Sequence, residues 1–452
     1  MEPKHLVLVS DRGPVRFEDR MGELVPTRRN SSVTGLLDGI ARSTHAEVTW
    51  LAPSTADADR RASRTGLMRD LSDTLGYRYD AVPVSERDYQ RYYDDTGVSL
   101  IWTAWHGIED EVPVRRHPLD GYRAVNRALA DRVIETASAE ATVAIQDYQF
   151  LLAPAMIRRH RDDLRIIHFT HTPFPDAKSL DALPQNVVRE LVEGMLGADL
   201  LGFQRPLWAT RFLDCCARLR LPVDRRRVRC YPVTVDHAAL GARARAPRVL
   251  RWAGRTRTED RRRVLARVDR LDPAKNALRG FQAYALMLRR RPELAREVRF
   301  VACLIPSRER LPDYHRYAHR TRQLIDEINA AHPGAVTVHH GDDQDRAFGV
   351  LTVQDVLLVN ALADGMNLVA QEGALLGEGA VVLSSGTGAA DLLPGAVPLG
   401  DPRSVEATAD ALTQALALPE DVRRERVYRM RAALRARPGW FASQWEDLCA
   451  IQ

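Results

Sequence analysis

The chain has 452 residues, enough for two or three domains at roughly 150 residues each, and is 45% hydrophobic, 28% charged and 6% aromatic. Those fractions sit near globular averages and exclude collagen-like, disordered and disulfide-scaffold classes. The net charge of +5 comes almost wholly from arginine, since Lys4, Lys178 and Lys275 are the only lysines; with no DNA- or RNA-binding signature beside the arginine clusters at 225–229 and 257–270, we expect no nucleic-acid partner.

Short apolar runs appear first at 5–10 (HLVLVS), 47–52, 142–147, 165–170 and 199–204. Segments with helical periodicity, such as 125–137 and 187–196, separate them. A second series follows at 264–269 (VLARVD), 298–305, 335–340, 355–360 and 380–385, with helices expected over 277–291 and 404–418. Unbroken Val/Ile/Leu strands alternating with helices indicate parallel sheets covered on both faces. The fold class is therefore α/β, with two doubly wound Rossmann-like domains. The polar, Ala/Arg-rich stretch 236–260 lacks a strand period. We place the boundary there: residues 1–240 in a first domain and 241–436 in a second.

No apolar run approaches the ~18 residues of a membrane span, and the start is too polar for a secretory signal. We expect a soluble, cytoplasmic protein with no membrane partner. Five cysteines (Cys215, Cys216, Cys230, Cys303, Cys449) have no metal-site spacing and read as free thiols, so no metal is expected.

In open parallel sheets, ligands gather beyond the carboxyl ends of strands. The polar residues there are Asp11, Arg12, Asp147, His171, Arg270, Lys275, Arg308 and Asp364. In DRLDPAKN (269–276), Arg270 and Lys275 can converge on a diphosphate across the turn at Pro273; a surface loop paired to Asp269 and Asp272 is the alternative. In ADGMNLVAQEG (363–373), Asp364-Gly365 makes a turn and a helix can start at Met366. Its free amides suit phosphate or sugar oxygens, and Glu372 suits a ribose; a helix merely capped by Asp364 is the alternative. His171 stands in a loop stiffened by Pro173 and Pro175, where a structural hydrogen bond competes with a ligand role. Asp147 in QDYQ competes with a capping role. Gly35 in VTGLLDG could close over a ligand. The G-x-G-x-x-G fingerprint, the Walker loop and nucleophile motifs are absent, which argues against dehydrogenases, kinases and hydrolases.

Taken in order, these motifs resemble glycosyltransferase family 20, the trehalose-6-phosphate synthases. The matching segments are SDRGP, Tyr92-Tyr93, IWTAWH, DGYRAVN, Asp147, HTPFP, LLGFQ, DRLDPAK, PSR, DGMNLVAQE and LSSGTGAA. The resemblance implies a GT-B fold, two domains facing across a cleft, with a last helix (about 437–452) returning to the first. It implies a retaining transfer that needs no metal or other cofactor, from a nucleotide-sugar donor to a sugar-phosphate acceptor. It gives Arg270 and Lys275 the donor diphosphate, Glu372 the ribose, and Asp364, Gly365, Met366, Asn367 and Leu368 the sugar and phosphates. Asp147 and His171 would stand beside the reacting sugar, and Arg12, Tyr93, Trp102 and Arg308 would grip the acceptor. A homo-oligomer is compatible with this reading.

Four positions depart from the family pattern. Ala363 stands where arginine is usual, Gln146 and Gln149 replace the histidines flanking Asp147, and Asn276 replaces a glycine. These features resemble the pseudo-glycosyltransferases that form validoxylamine 7′-phosphate from a nucleotide-activated cyclitol. The expected function is trehalose 6-phosphate synthesis from UDP- or GDP-glucose. Cyclitol coupling and a catalytically silent, sugar-phosphate-binding regulator are the alternatives.

Overall fold

The fold was analysed in a computed structural model that describes residues 4–437 apart from 30, 31, 66, 116 and 259. Except for Arg437, the expected returning helix lies outside the described residues. The chain divides into two compact units: one holds the described residues up to Trp105 and Pro113–Tyr231, the other His106–Val112 and the described residues from Pro232 onward.

The first unit contains β1 (His5–Val9), β2 (Val15–Arg20), β3 (Glu23–Arg28), β4 (Glu47–Pro53), β5 (Arg78–Val82), β6 (Thr142–Gln146), β7 (Arg165–Phe169), β8 (Leu200–Phe203) and β9 (Val228–Cys230). Seven of these form a parallel sheet in the order β5-β4-β1-β6-β7-β8-β9, while β2 and β3 form an antiparallel hairpin. The strand β1 is buried along its whole length, as a central strand covered on both faces must be. Between β5 and β6 the sequence Arg91–Trp102 winds as a π-helix, a form that periodicity at 3.6 residues does not reveal.

The second unit contains β10 (Arg263–Arg270), β11 (Val298–Ile305), β12 (Val336–His340), β13 (Val356–Val359), β14 (Ala380–Ser384) and β15 (Val397–Leu399). They form one parallel sheet in the order β12-β11-β10-β13-β14-β15. Its core includes Phe300 of β11 against Phe281, with ring centres 4.8 Å apart, and Tyr284 edge-on at 5.3 Å. The stretch His106–Val112 is tied to this unit by three arginines. Arg403 donates to the Gly107 carbonyl and pairs with Asp110, while Arg279 and Arg320 pair with Glu111 at 3.5 and 2.9 Å.

The apolar runs read from the sequence are all strands. The short strands β5, β9 and β15 and the charged hairpin are additions, and the polar stretch 236–260 folds as helices His237–Ala244 and Pro247–Thr258. No helix among the described residues is long and apolar enough to cross a membrane. In each sheet the order reverses beside the strand that comes first in the chain: β1 lies between β4 and β6, and β10 between β11 and β13. Loops leaving such neighbours diverge and open a crevice, so each unit has one switch point.

Candidate active site

At the switch point of the second unit, β10 ends at Arg270 and the chain turns through Asp272. The Asp272 side chain is fully buried and accepts from the Ala274 amide at 3.0 Å, capping the turn Pro273–Lys275. Proline at the first position of that turn needs no donor. The other Asp272 oxygen accepts from Arg308 at 2.6 Å and lies 3.9 Å from Arg270. Burial alone would raise the Asp272 carboxyl, but these two cations hold it below its ordinary value. Arg308 itself has φ 51, an uncommon backbone for a bulky residue, and its guanidinium lies over the Tyr314 ring at 5.5 Å.

Next in the chain, Lys275 donates to Asp364 Oδ2 at 2.5 Å. Asp364 follows β13 and accepts at Oδ1 from the Gly365 amide at 3.0 Å and at Oδ2 from Asn367 at 2.7 Å. Burial would raise the Asp364 carboxyl; Lys275 brings it below its ordinary value. The helix begins at Leu368 (Leu368–Leu376), and its cap is Asn367, whose side chain accepts from the Ala370 amide at 2.9 Å. The expectations of a start at Met366 and a cap at Asp364 are both corrected: the Asp364 carboxylate is engaged by Lys275, and Met366 is buried in the turn. Glu372 lies one turn into the helix, and burial pushes its carboxyl up to about 7. Ala363, beside Asp364, is half-buried.

Asn276 gives a departure from the family pattern a physical cause. Its backbone is left-handed (φ 62, ψ 38), where glycine is strain-free and asparagine is among the best-tolerated alternatives. Its side chain then bonds the carbonyls of Asn360 and Pro402 at 2.9 and 2.6 Å. Sequence reasoning missed Asp272 as the hub and His106 as a contributor. His106 is buried and adds a favourable charge interaction to both Asp272 and Asp364. The Asp-Pro pair was the available signal for the first; nothing local marks the second.

In the first unit, the loop after β1 is pressed against Tyr79, whose ring lies 2.3 Å from where a side-chain carbon on Gly13 would stand. Only glycine fits that approach. Asp11 accepts from the Tyr92 hydroxyl at 2.9 Å, and half-exposed Arg12 donates to the Tyr93 hydroxyl at 3.3 Å. Tyr93 stacks on Tyr89 with ring centres 5.8 Å apart. Trp102, at the end of the π-helix, packs its ring 5.8 Å from that of Tyr148. Gly35 lies in the first turn of the helix Ser32–Ser43, with open space where a side chain would stand.

The Asp147 carboxylate caps no helix. Its backbone sits at φ 69, ψ 179, a region populated almost only by glycine. One carboxylate oxygen accepts from the His171 amide (3.0 Å), the Thr172 amide (3.1 Å) and the Thr172 hydroxyl (3.0 Å). Burial pushes this carboxyl up to about 6. Two residues of DGYRAVN hold the chain beyond it. The Tyr122 hydroxyl donates to the Tyr148 carbonyl, and Asn126 bonds the Gln149 carbonyl and the Leu152 and Ala153 amides. Burial, with His168 nearby, lowers the His171 imidazole to about 3, so the ring is neutral. The structure thus brings together Asp147 with His171, Arg12 with Tyr93, Arg270 with Arg308 on Asp272, and Lys275 with Asp364 and Asn367. Among the described residues, no group of three His, Cys, Asp or Glu is placed to hold a metal ion.

These two sites can be set beside known proteins. The glycosyltransferase family 20 profile matches residues 4–448. A trehalose-6-phosphate synthase of Mycobacterium bovis is 32% identical over 460 residues, covering 94% of this chain and 90% of that protein. A bifunctional trehalose-6-phosphate synthase/phosphatase of Thermoproteus tenax is 29% identical over 96% of this chain, which spans 61% of its length. Among solved structures, the E. coli trehalose-6-phosphate protein bound with UDP-2-fluoro glucose superposes with a TM-score of 0.83 at 23% identity, over 98% of both chains. That likeness shows the fold, GT-B. With the profile spanning almost the whole length, the chain belongs to glycosyltransferase family 20.

Proposed function

We propose that the protein transfers a glucosyl unit from UDP- or GDP-glucose to glucose 6-phosphate, forming trehalose 6-phosphate with retained anomeric configuration. The observation that carries this reading is the cationic constellation at the second switch point: Arg270 and Arg308 on Asp272, and Lys275 on Asp364 at 2.5 Å. Breaking the donor's C1–O bond to phosphate develops negative charge on the departing diphosphate. Arg270 and Lys275 would neutralise it, and the proposed transfer needs no metal ion. The turn from Asp364 to Leu368 would hold the donor sugar and phosphates, and Glu372 the ribose. Arg12, Tyr93, Trp102 and Arg308 would hold the acceptor.

The acceptor hydroxyl attacks C1 from the face the diphosphate leaves, and its proton passes to the departing phosphate oxygen. No enzymic nucleophile is required. Asp147 and the neutral His171 serve as hydrogen-bonding groups to the reacting sugar. The comparisons do not favour cyclitol coupling or a silent regulator. Asn276 also loses its weight as a cyclitol marker, because its left-handed backbone explains it. Incubation with each glucose donor and glucose 6-phosphate should yield a disaccharide phosphate by mass spectrometry, α,α-linked by NMR. The absence of product with every glucose donor would overturn the reading.

A further inference from the structure

Arg267 lies inside β10 and is fully buried, where a cation is costly unless it is paired and hydrogen-bonded. Its polar contacts lead to the residues of the second switch point. Nη2 lies 2.9 Å from Oδ2 of Asp269, which is two residues on and so on the same face of the strand, and it donates to the Lys275 carbonyl. Nη1 donates at 2.6 Å to Oδ1 of Asn360, one residue past β13 and four before Asp364. A side-chain carbon on Gly280 would stand 2.8 Å from Nη1, so glycine in the helix Ala277–Arg290 leaves the guanidinium its room. Asn360 and Asn276 complete the network. The side-chain amide of Asn360 donates to the Asn276 carbonyl at 3.2 Å, and that of Asn276 to the Asn360 carbonyl at 2.9 Å. A backbone bond from the Leu362 amide to the Ala274 carbonyl, 2.9 Å, joins the same two loops.

We propose that Arg267 is a positioning residue for the transfer: its planar fork grips the Lys275 carbonyl and Asn360 together, fixing the turn that carries the Lys275 ammonium against the turn that carries Asp364. The ammonium is then aimed before the donor diphosphate arrives. Replacing a buried ion pair by apolar residues of similar volume often costs no stability, so what the arginine adds here is geometry. A lysine could pair with Asp269 but could not span both acceptors. Asn276 belongs to the same device, since its side chain reaches the far loop and a glycine would not. The placement of Lys275 is a property of the fold; its use in transfer rests on the glucosyl-transfer reading.

Lys275 is one of three lysines, so nitrogen NMR of the full chain with labelled lysine isolates it, its signal being assigned by loss in Lys275→Ala. Wild type should show an ammonium whose protons exchange slowly with water. In Arg267→Gln, which keeps a hydrogen-bonding side chain without the fork, that exchange should quicken about tenfold. With UDP-glucose and glucose 6-phosphate, kcat should fall about tenfold, the size of one buried hydrogen bond, while KM for UDP-glucose changes less than about twofold. Asn360→Ala, which leaves the pair with Asp269 intact, should move both readouts the same way and serves if the glutamine form does not fold. Neither substitution should lower kcat further in a Lys275→Ala background, because Arg267 acts through Lys275; a merely structural role would multiply the two losses. An unmoved Lys275 signal in a folded variant, an unchanged kcat, or an equal fall in the Lys275→Ala background each overturns the proposal. If wild type transfers no glucosyl unit, the functional reading falls and the lysine spectrum still decides the tie. If wild type transfers and the spectrum is unmoved, this inference alone falls.

Discussion

The two units place a site at the same point of the same architecture and stabilise its carboxylates in opposite ways. In the second, Asp272 and Asp364 face Arg308 and Lys275, and both carboxyls lie below their ordinary values despite burial. In the first, Asp147 is met by two amides and a hydroxyl, and burial prevails: its carboxyl rises to about 6. On the glucosyl-transfer reading, ion pairs suit a crevice that would receive a charged diphosphate, because the cations are already gathered before the ligand arrives. On the same reading, dipoles suit the surroundings of Asp147, which would face the uncharged, hydroxyl-rich ring of the reacting sugar, where a fixed net charge would cost desolvation without return. The position of a site follows from strand order; its chemistry follows from whether arginine and lysine or amides complete it.

The contrast is broken most severely at Lys275. Lys275→Ala removes the counter-charge of a buried carboxylate and one of the cations proposed to meet the leaving group. Turnover should fall by about 10³-fold, the upper range for losing one electrostatic contact to a transition state. Unfolding should ease by ~3–5 kcal/mol, because Asp364 stays buried and unpaired. Lys275→Arg should also fail, since a planar fork cannot replace a compact ammonium 2.5 Å from Asp364 beside a neighbouring Arg267 that already occupies the Lys275 carbonyl. Steady-state kinetics and urea unfolding decide both. Near-normal kcat in either variant would remove Lys275 from the proposed chemistry.

Asn276 tests whether a departure from family pattern signals substrate or backbone. Asn276→Ala loses three side-chain hydrogen bonds, to Asn360, Pro402 and Arg279, and keeps a left-handed backbone that alanine resists. About 3 kcal/mol of destabilisation is expected. Asn276→Gly should be milder by ~1–2 kcal/mol, since the backbone term vanishes. Denaturant titration of the pair checks the ranking. Donor preference should be the same in Asn276→Gly and wild type; a switch between glucose and cyclitol donors would restore the residue's meaning as a substrate marker.

The same case shows how far the sequence could be read. Apolar runs locate ten of the thirteen strands of the two parallel sheets, missing β5, β9 and β15, and the rule that ligands lie past strand ends selects Asp147, His171, Arg270, Lys275 and Asp364. Those residues are legible because strands announce themselves by composition. From the sequence Asp272 reads only as a possible surface partner, because its importance comes from Arg308, 36 residues away in the chain. His106 was invisible for the same reason. The π-helix Arg91–Trp102 escaped because its period differs from 3.6. Within DGMNLVAQE, Gln371 turned out to be structural, bonding the Val233 carbonyl and the Val235 amide. A motif records that residues matter together and leaves open which of them meets a ligand.

Acid conditions separate the two sites further. Asp147 binds its proton more tightly folded than unfolded, with a folded value of about 6 against an ordinary 3.8. Its contribution to stability is therefore greatest below about pH 4 and is lost as pH rises to about 6, by on the order of 2–3 kcal/mol. His168 and His171, held neutral by burial, slope the other way, so only a difference measurement isolates Asp147. Asp147→Asn cannot ionise. Its melting temperature relative to wild type should climb steadily between pH 4 and 6.5. A constant difference would mean that Asp147 is already ionised at low pH and that the dipoles around it outweigh burial.

The smallest expected effect concerns Glu372, which belongs to the charged unit but resembles Asp147 in having burial as the cause of its raised carboxyl, about 7 against an ordinary 4.5. A ribose hydroxyl donates best to the carboxylate, so only the ionised fraction binds at full strength. That fraction rises from about a tenth at pH 6 to about nine-tenths at pH 8, and apparent affinity scales with it. UDP-glucose, whose phosphates do not titrate in this range, should bind about tenfold more tightly at pH 8 than at pH 6 by calorimetry, releasing close to half a proton near pH 7. Glu372→Gln should flatten that dependence and bind at a level between the two extremes. If the slope persists in Glu372→Gln, the titrating group lies elsewhere and the assignment of Glu372 to the ribose fails, while the cationic constellation around Asp272 and Asp364 is untouched.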